Sequence, residues 1–168
     1  MGRLFDAVAA LMGLRQRCSF EGQAAMALEY AQHGINCDEC YPFEITPVTG
    51  DEGACERIIE WKPMIEALLE EGDGRWVSAK FHNTLAAIIV TVAEQIGEPI
   101  VILCGGCFQN RALLEKTIQR LRAAGFRPYW PQQIPPNDGG IALGQVMAVV
   151  REMNHVSGSS GETHQHSG

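Results

Sequence analysis

The sequence predicts an α/β lobe in which at least part of the sheet is parallel. Residues 100–103, Ile-Val-Ile-Leu, form a continuous apolar run, the pattern of a central parallel strand. A Gly-Gly turn, a helical pattern, a second strand pattern, a Pro-rich loop and a last helical pattern follow, so the second half alternates strand and helix. Over 168 residues, 46% hydrophobic and 20% charged side chains suit one domain, or one lobe of a larger one, with a sizeable core.

The elements are justified in order. Leu4, Phe5, Val8, Leu11 and Met12 recur at helical spacing, and Gly13 is a stop. Residues 23–33, rich in Ala, Leu and Met, predict a second helix closed by Gly34. Residues 41–45 read as a short edge strand, kept from a sheet centre by Pro42 and Pro47. Residues 55–61 read as another strand, and a helix follows with Pro63 in its first turn. Gly72-Asp73-Gly74 ends it, and residues 75–96 predict one long buried helix. After the 100–103 strand come a helix over 109–124 with Gly125 as its cap and a strand over 127–130. A Pro-rich loop over 131–138 and a closing helix over 139–153 complete the lobe. Residues 154–168 are expected to form a disordered polar tail, since they carry no core pattern.

The net charge of −7 is uneven: residues 38–73 hold 11 acids and 2 bases. An acidic chain argues against nucleic-acid binding, whose phosphate contacts need a basic surface. The small basic group Arg111, Lys116, Arg120, Arg122 and Arg127 reads as a solvated helix face. Asp6 interrupts any secretory pattern at the start, and the apolar stretch over 85–93 is far short of the ~20 residues that span a bilayer. The six cysteines then read as reduced thiols, and a cytoplasmic location is expected.

Three features could carry chemistry. Cys104-Gly105-Gly106-Cys107-Phe108-Gln109-Asn110 lies between a strand end and a helix, where open α/β sheets bind ligands. Its glycines let backbone N–H groups approach an anion, and Asn110 could either read a base edge or cap the helix. Pro135-Pro136-Asn137-Asp138-Gly139-Gly140 occupies the equivalent place after the next strand, so the two loops should be neighbours. Asp138 could ligate a metal or cap the following helix. The pairs Cys37/Cys40 and Cys104/Cys107 have zinc-ligand spacing but an unusually long spacer. His82, inside an apolar helix, reads as a satisfied core histidine.

Five motifs in order carry a resemblance. They are Gly2-Arg3-Leu4-Phe5-Asp6-Ala7-Val8, Phe20-Glu21-Gly22-Gln23-Ala24-Ala25, Phe81-His82-Asn83-Thr84-Leu85-Ala86, Gly105-Gly106-Cys107-Phe108-Gln109-Asn110, and Pro135-Pro136-Asn137-Asp138-Gly139-Gly140-Ile141-Ala142-Leu143-Gly144-Gln145. Together they resemble the carboxyl-terminal part of the HypF carbamoyltransferases of nickel–iron hydrogenase maturation. The resemblance implies an actin–hexokinase-like nucleotide-binding lobe, a mixed sheet flanked by helices, with residues 1–153 as the second lobe of a carbamoyl-transfer domain. It implies ATP and carbamoyl phosphate as substrates, carbamoyl adenylate as intermediate, and a cysteine thiol of a HypE-like protein as acceptor.

By the same resemblance Asp6 lies near the ribose, with Gly22 on the same side. Gly105 and Gly106 form the nucleotide-contacting turn, Asn110 lies beside the adenine, and Asp138 ligates a divalent metal. The histidine pair at H-x-x-x-H spacing that the family's metal site uses does not occur in the chain, nor do the family's amino-terminal domains. The chain therefore reads as a fragment, inactive alone. A non-catalytic nucleotide-binding or docking module and a small-molecule O-carbamoyltransferase relative are the alternatives.

Overall fold

The computed structural model describes residues 1–47 and 57–158, with the side chains of 154–158 left aside. Its first half is helical. α1 (Gly2–Leu11) and α2 (Gln23–Ala31) pack together, and Phe5, Val8, Ala9, Ala24 and Leu28 turn inward at the expected spacing. β1 (Glu44–Pro47) and β2 (Arg57–Glu60) form an antiparallel pair with Ile45 opposite Ile59. Cys55 and Glu56 of the expected strand lie outside the described residues. α3 (Lys62–Glu70) has its proline in the first turn, as read, and contributes Met64 and Leu68 to the core.

α4 (Gly74–Ile96) is the spine. Asp73 begins it, accepting the Arg75 N–H at 2.9 Å, rather than merely ending α3. By length and composition α4 could cross a membrane, yet 61% of its apolar window is buried within the protein. Val77, Phe81 and Leu85 join the residues of α1–α3 in one apolar cluster, each fully buried side chain worth about 2 kcal/mol. Polar α4 residues fasten the preceding loop: the Thr84 hydroxyl accepts the Tyr41 N–H at 2.8 Å, and Asn83 donates to Cys37 O and Glu39 O.

The second half runs as the pattern predicts: β3 (Ile100–Ile102), α5 (Arg111–Ala123), β4 (Arg127–Tyr129) and α6 (Ile141–Gly158). β3 and β4 are parallel, with Ile102 opposite Tyr129. Val101, Leu103, Phe126 and Trp130 belong to a second apolar cluster together with Ala93, Ile118 and Leu121.

Four expectations change. The described strands make two separate two-stranded sheets, one antiparallel and one parallel, instead of one mixed sheet. β3 is not buried on both faces: Ile100, Ile102 and Tyr129 are 48%, 70% and 56% exposed, so an apolar run here marks a face without a second layer. α6 extends to Gly158, past the expected end at 153, and packs chiefly on the turn before it, leaving Ile141, Val146 and Met147 exposed. Residues 159–168 of the expected tail lie outside the described residues. The basic group on α5 is not uniformly solvated. Lys116 is half-buried and donates to Asn83 Oδ1 at 2.7 Å, and Arg122 lies 5.5 Å from the Trp130 ring centroid.

Candidate nucleotide site

Parallel pairing of β3 and β4 places their carboxyl ends side by side, and the two loops that follow them meet. Leu103 N–H donates to Tyr129 O at 2.8 Å, extending the ladder. Two residues on, Gly105 N–H donates to Pro136 O at 2.6 Å, tying the Gly-Gly loop to the Pro-rich one. The neighbourhood expected from the strand–helix alternation is thus present as a hydrogen bond.

Glycine chemistry shapes both loops. Gly105 adopts φ +102°, a region closed to most side chains, and a β-carbon at Gly105 or Gly106 would meet nothing within 4 Å. The backbone of this turn therefore faces open space, a cradle that a ligand can approach closely. Gly140 has the opposite reason: a β-carbon there would lie 3.0 Å from Pro135 O.

The helix that follows is not available to an anion. Asn110 Oδ1 accepts the Leu113 N–H at 2.9 Å, the cap expected of an Asn at this place. Glu29 reaches across from α2, and its Oε1 accepts the Ala112 N–H at 3.0 Å. An internal carboxylate thus occupies the positive end of α5. The short 3-10 turn Gly106–Gln109 follows directly on Gly105, and its first N–H groups lack partners within the turn.

Asn110 itself is only 6% exposed, and its amide nitrogen lies 3.0 Å from His82 Nε2. The side chain is turned inward, with its oxygen held by the cap and its amide nitrogen facing His82. His82 is the satisfied core histidine expected. It is fully buried, with Nδ1 2.8 Å from Ser78 O and Phe5 and Phe81 edge-on to its ring. Burial lowers its pKa to about 4, further depressed by the Lys116 charge and partly offset by its hydrogen bonds.

Asp6 is exposed on α1, beside Phe5, and Gly22 begins α2 at φ 82°. Among the described residues, no hydrogen bond or ion pair joins either of them to the Gly105 turn. Asp138 is exposed, and the cap expected of it belongs to its neighbour: Asn137 Oδ1 accepts the Gly139 N–H at 3.1 Å. No three of the His, Cys, Asp and Glu side chains among the described residues converge on a possible metal site. Asp138 by itself does not suffice for a metal, and the two cysteine pairs do not assemble into a zinc site there. Glu29, Asn83 and Lys116 escape a sequence reading, because their contacts span 83, 46 and 33 residues of chain.

A second polar cluster fastens the 37–41 loop. Tyr41 OH donates to Glu71 Oε2 at 2.5 Å, and Lys80 bridges Glu39 and Glu71 at 2.8 and 2.9 Å. Burial raises Glu71, but the hydrogen bonds from Tyr41 and Lys80 outweigh it and hold the carboxyl below its usual range.

Residues 1–145 match the family model described as "Carbamoyltransferase, Kae1-like Domain, second subdomain". The chain belongs to this carbamoyltransferase family. It is 44% identical over 158 residues to the carbamoyltransferase HypF of Synechocystis sp., covering 93% of the chain and 20% of that relative. It is 36% identical to HypF of Rhizobium leguminosarum, covering 86% of the chain and 19% of the relative. It also resembles the crystal structure of full-length HypF in its phosphate- and nucleotide-bound form. The TM-score is 0.78 at 40% identity, over 86% of this chain and 19% of that one. The chain spans about a fifth of the length of these HypF relatives. A more distant relative is the tRNA N6-adenosine threonylcarbamoyltransferase of Thermus thermophilus, 29% identical over 84% of this chain and 42% of that enzyme. The α/β class and the resemblance to the HypF carbamoyltransferases expected from the motifs are borne out.

Proposed function

We propose that this chain supplies one half of the nucleotide site of a HypF-like carbamoyltransferase of the kind that matures nickel–iron hydrogenases. The observation that carries the reading is the Gly105 N–H···O=C Pro136 bond. It joins two loops at the carboxyl ends of neighbouring parallel strands, beside an open glycine turn, in a chain whose structural relative is nucleotide-bound. The substrates are ATP and carbamoyl phosphate, and the bound species is a carbamoyl adenylate.

The Gly105–Gly106 backbone would approach the phosphate of the adenylate without side-chain obstruction. The acceptor is a cysteine thiol near the carboxyl end of a HypE-like protein. The thiol first gives its proton to solvent; the thiolate sulfur then attacks the carbamoyl carbon, a C–S bond forms, the C–O bond to the phosphate breaks, and AMP leaves with the electron pair. Asp6 and Gly22 are proposed to face the ribose. Asp138 is proposed as one ligand of a divalent metal whose other ligands come from the rest of a HypF-like protein, and no step is assigned to that metal. The chain acts away from membranes, in the cytoplasm, and without nucleic acid.

The chain spans about a fifth of its HypF relatives, and binding energy divided between two lobes is not recovered by one. We expect purified chain to give no ATP- and carbamoyl-phosphate-dependent labelling of the acceptor thiol. Expressed together with the remaining four-fifths of a HypF-like protein, it is expected to restore labelling. Labelling by the chain alone, or none after complementation with a folded remainder, refutes the reading.

A further inference from the structure

The buried His82–Asn110 pair lies directly beneath the candidate turn, on no surface a substrate reaches. We propose that His82 is a positioning residue: by accepting a hydrogen bond at Nε2 from Asn110, it fixes the Asn110 amide and, through it, the turn from Gly105 to Asn110. The consequence for ligand binding rests on the nucleotide reading above; the positioning itself does not.

Donor and acceptor logic selects one arrangement. Ser78 O, 2.8 Å from Nδ1, can only accept, so Nδ1 carries the proton and Nε2 of the neutral ring offers a lone pair. Asn110 Nδ2, at 3.0 Å, then donates to it, and Asn110 Oδ1 is left to accept the Leu113 N–H. Flipping the amide would set Oδ1 against the Nε2 lone pair and the NH2 group against the Leu113 N–H. Both contacts would become repulsive at once, so one side-chain orientation survives.

That orientation is transmitted along the backbone. Asn110 N–H donates to Cys107 O at 3.2 Å, Phe108 N–H donates to Gly105 O at 3.1 Å, and Gly105 N–H reaches Pro136 O. The imidazole cannot rotate away, because Phe5 and Phe81 stand edge-on at 5.7 Å from its centroid. The charged group that faces it is Lys116 of α5, which favours the neutral ring. A histidine that merely filled volume would not need its two nitrogens matched to a carbonyl and to a helix-capping amide.

Asn110→Asp and His82→Leu, with His82→Gln as the conservative partner, test this in the full chain by nitrogen-15 NMR. Asp at 110 keeps the cap but cannot donate to Nε2. The wild type is expected to show the tautomer with Nδ1 protonated and Nε2 bare. Asn110→Asp is expected to protonate Nε2 at a pH where the wild type is neutral. His82→Leu is expected to move the Gly105 and Gly106 amide resonances and to weaken ATP binding about tenfold or more, with partial recovery in His82→Gln, whose amide oxygen can accept. An unchanged Nε2 signal in Asn110→Asp overturns the proposal, as do wild-type Gly105 and Gly106 resonances in folded His82→Leu. If His82→Leu does not fold, the Asn110→Asp spectrum decides alone. If the wild-type Gly105 and Gly106 amides do not respond to ATP, the nucleotide reading fails while the tautomer result still decides the positioning role.

Discussion

Protonating His82 should destabilise this lobe at a pH that leaves its carboxylate network intact. The ring is fully buried among Phe5, Phe81 and Asn110, and its pKa is lowered from 6.5 to about 4 chiefly by burial. The unfolded chain therefore takes up a proton near pH 6.5 that the folded chain refuses until about pH 4. Stability is fully present above pH 6.5 and falls as pH drops through that window. At 1.36 kcal/mol per pH unit the loss across the window is about 3 kcal/mol, a large share of a small domain's stability. Glu71, held below its ordinary 4.5, loses its ion pair only at lower pH, so the upper part of the window isolates His82. Urea unfolding at pH 7.5, 6.5, 5.5 and 4.5 should show a decline in the wild type that His82→Leu lacks. The variant should be less stable at pH 7.5, because Asn110 Nδ2 loses its buried partner, at about 1–3 kcal/mol for the orphaned group. An equal decline in the variant would show that another group drives the acid transition and that the burial argument for His82 is wrong.

Other outcomes follow from the loops and the bare sheet face. Gly106→Val should leave thermal stability nearly unchanged, since its β-carbon meets open space, yet abolish residual ATP binding in calorimetry. Gly105→Ala should destabilise by about 1–3 kcal/mol, because φ +102° with ψ 159° is a backbone region essentially restricted to glycine, measured by urea unfolding. Asn137→Ala should cost about 1 kcal/mol as a lost cap, whereas Asp138→Asn should be neutral for the chain and lower metal content and acceptor carbamoylation when placed in a full-length HypF-like protein. Ile102→Lys with Tyr129→Lys should reduce self-association of the isolated chain in sedimentation, because both side chains sit opposite each other on the exposed face of the β3–β4 pair.

Much of the fold was legible because its signals are local. The spacing of Phe5 and Val8, the Pro63 start of α3 and the strand–helix alternation of the second half each depend on a few adjacent residues. The alternation also predicted that the Gly105 and Pro136 loops meet. What failed depends on packing at long range. An apolar run such as Ile100-Val101-Ile102 states only that a strand prefers burial; it does not state whether a second layer is present in the same chain. Asn110 carries the same amide whether it faces a base or the interior, and only the fold brings His82 to it. Asp138 and Asn137 are both good caps by residue type, and the extended backbone at 137 decides between them. Glu29 has no local signal, because its role at the start of α5 exists only once α2 packs there.

Amide NMR of the isolated chain during titration with ATP tests the central claim most directly. The account predicts that the largest shifts fall on Gly105, Gly106 and Cys107 and on residues 137–140, the two loops joined through Pro136, and that Gly106→Val removes them while its other resonances keep wild-type positions. Shifts centred elsewhere, or an identical response in Gly106→Val, would contradict it.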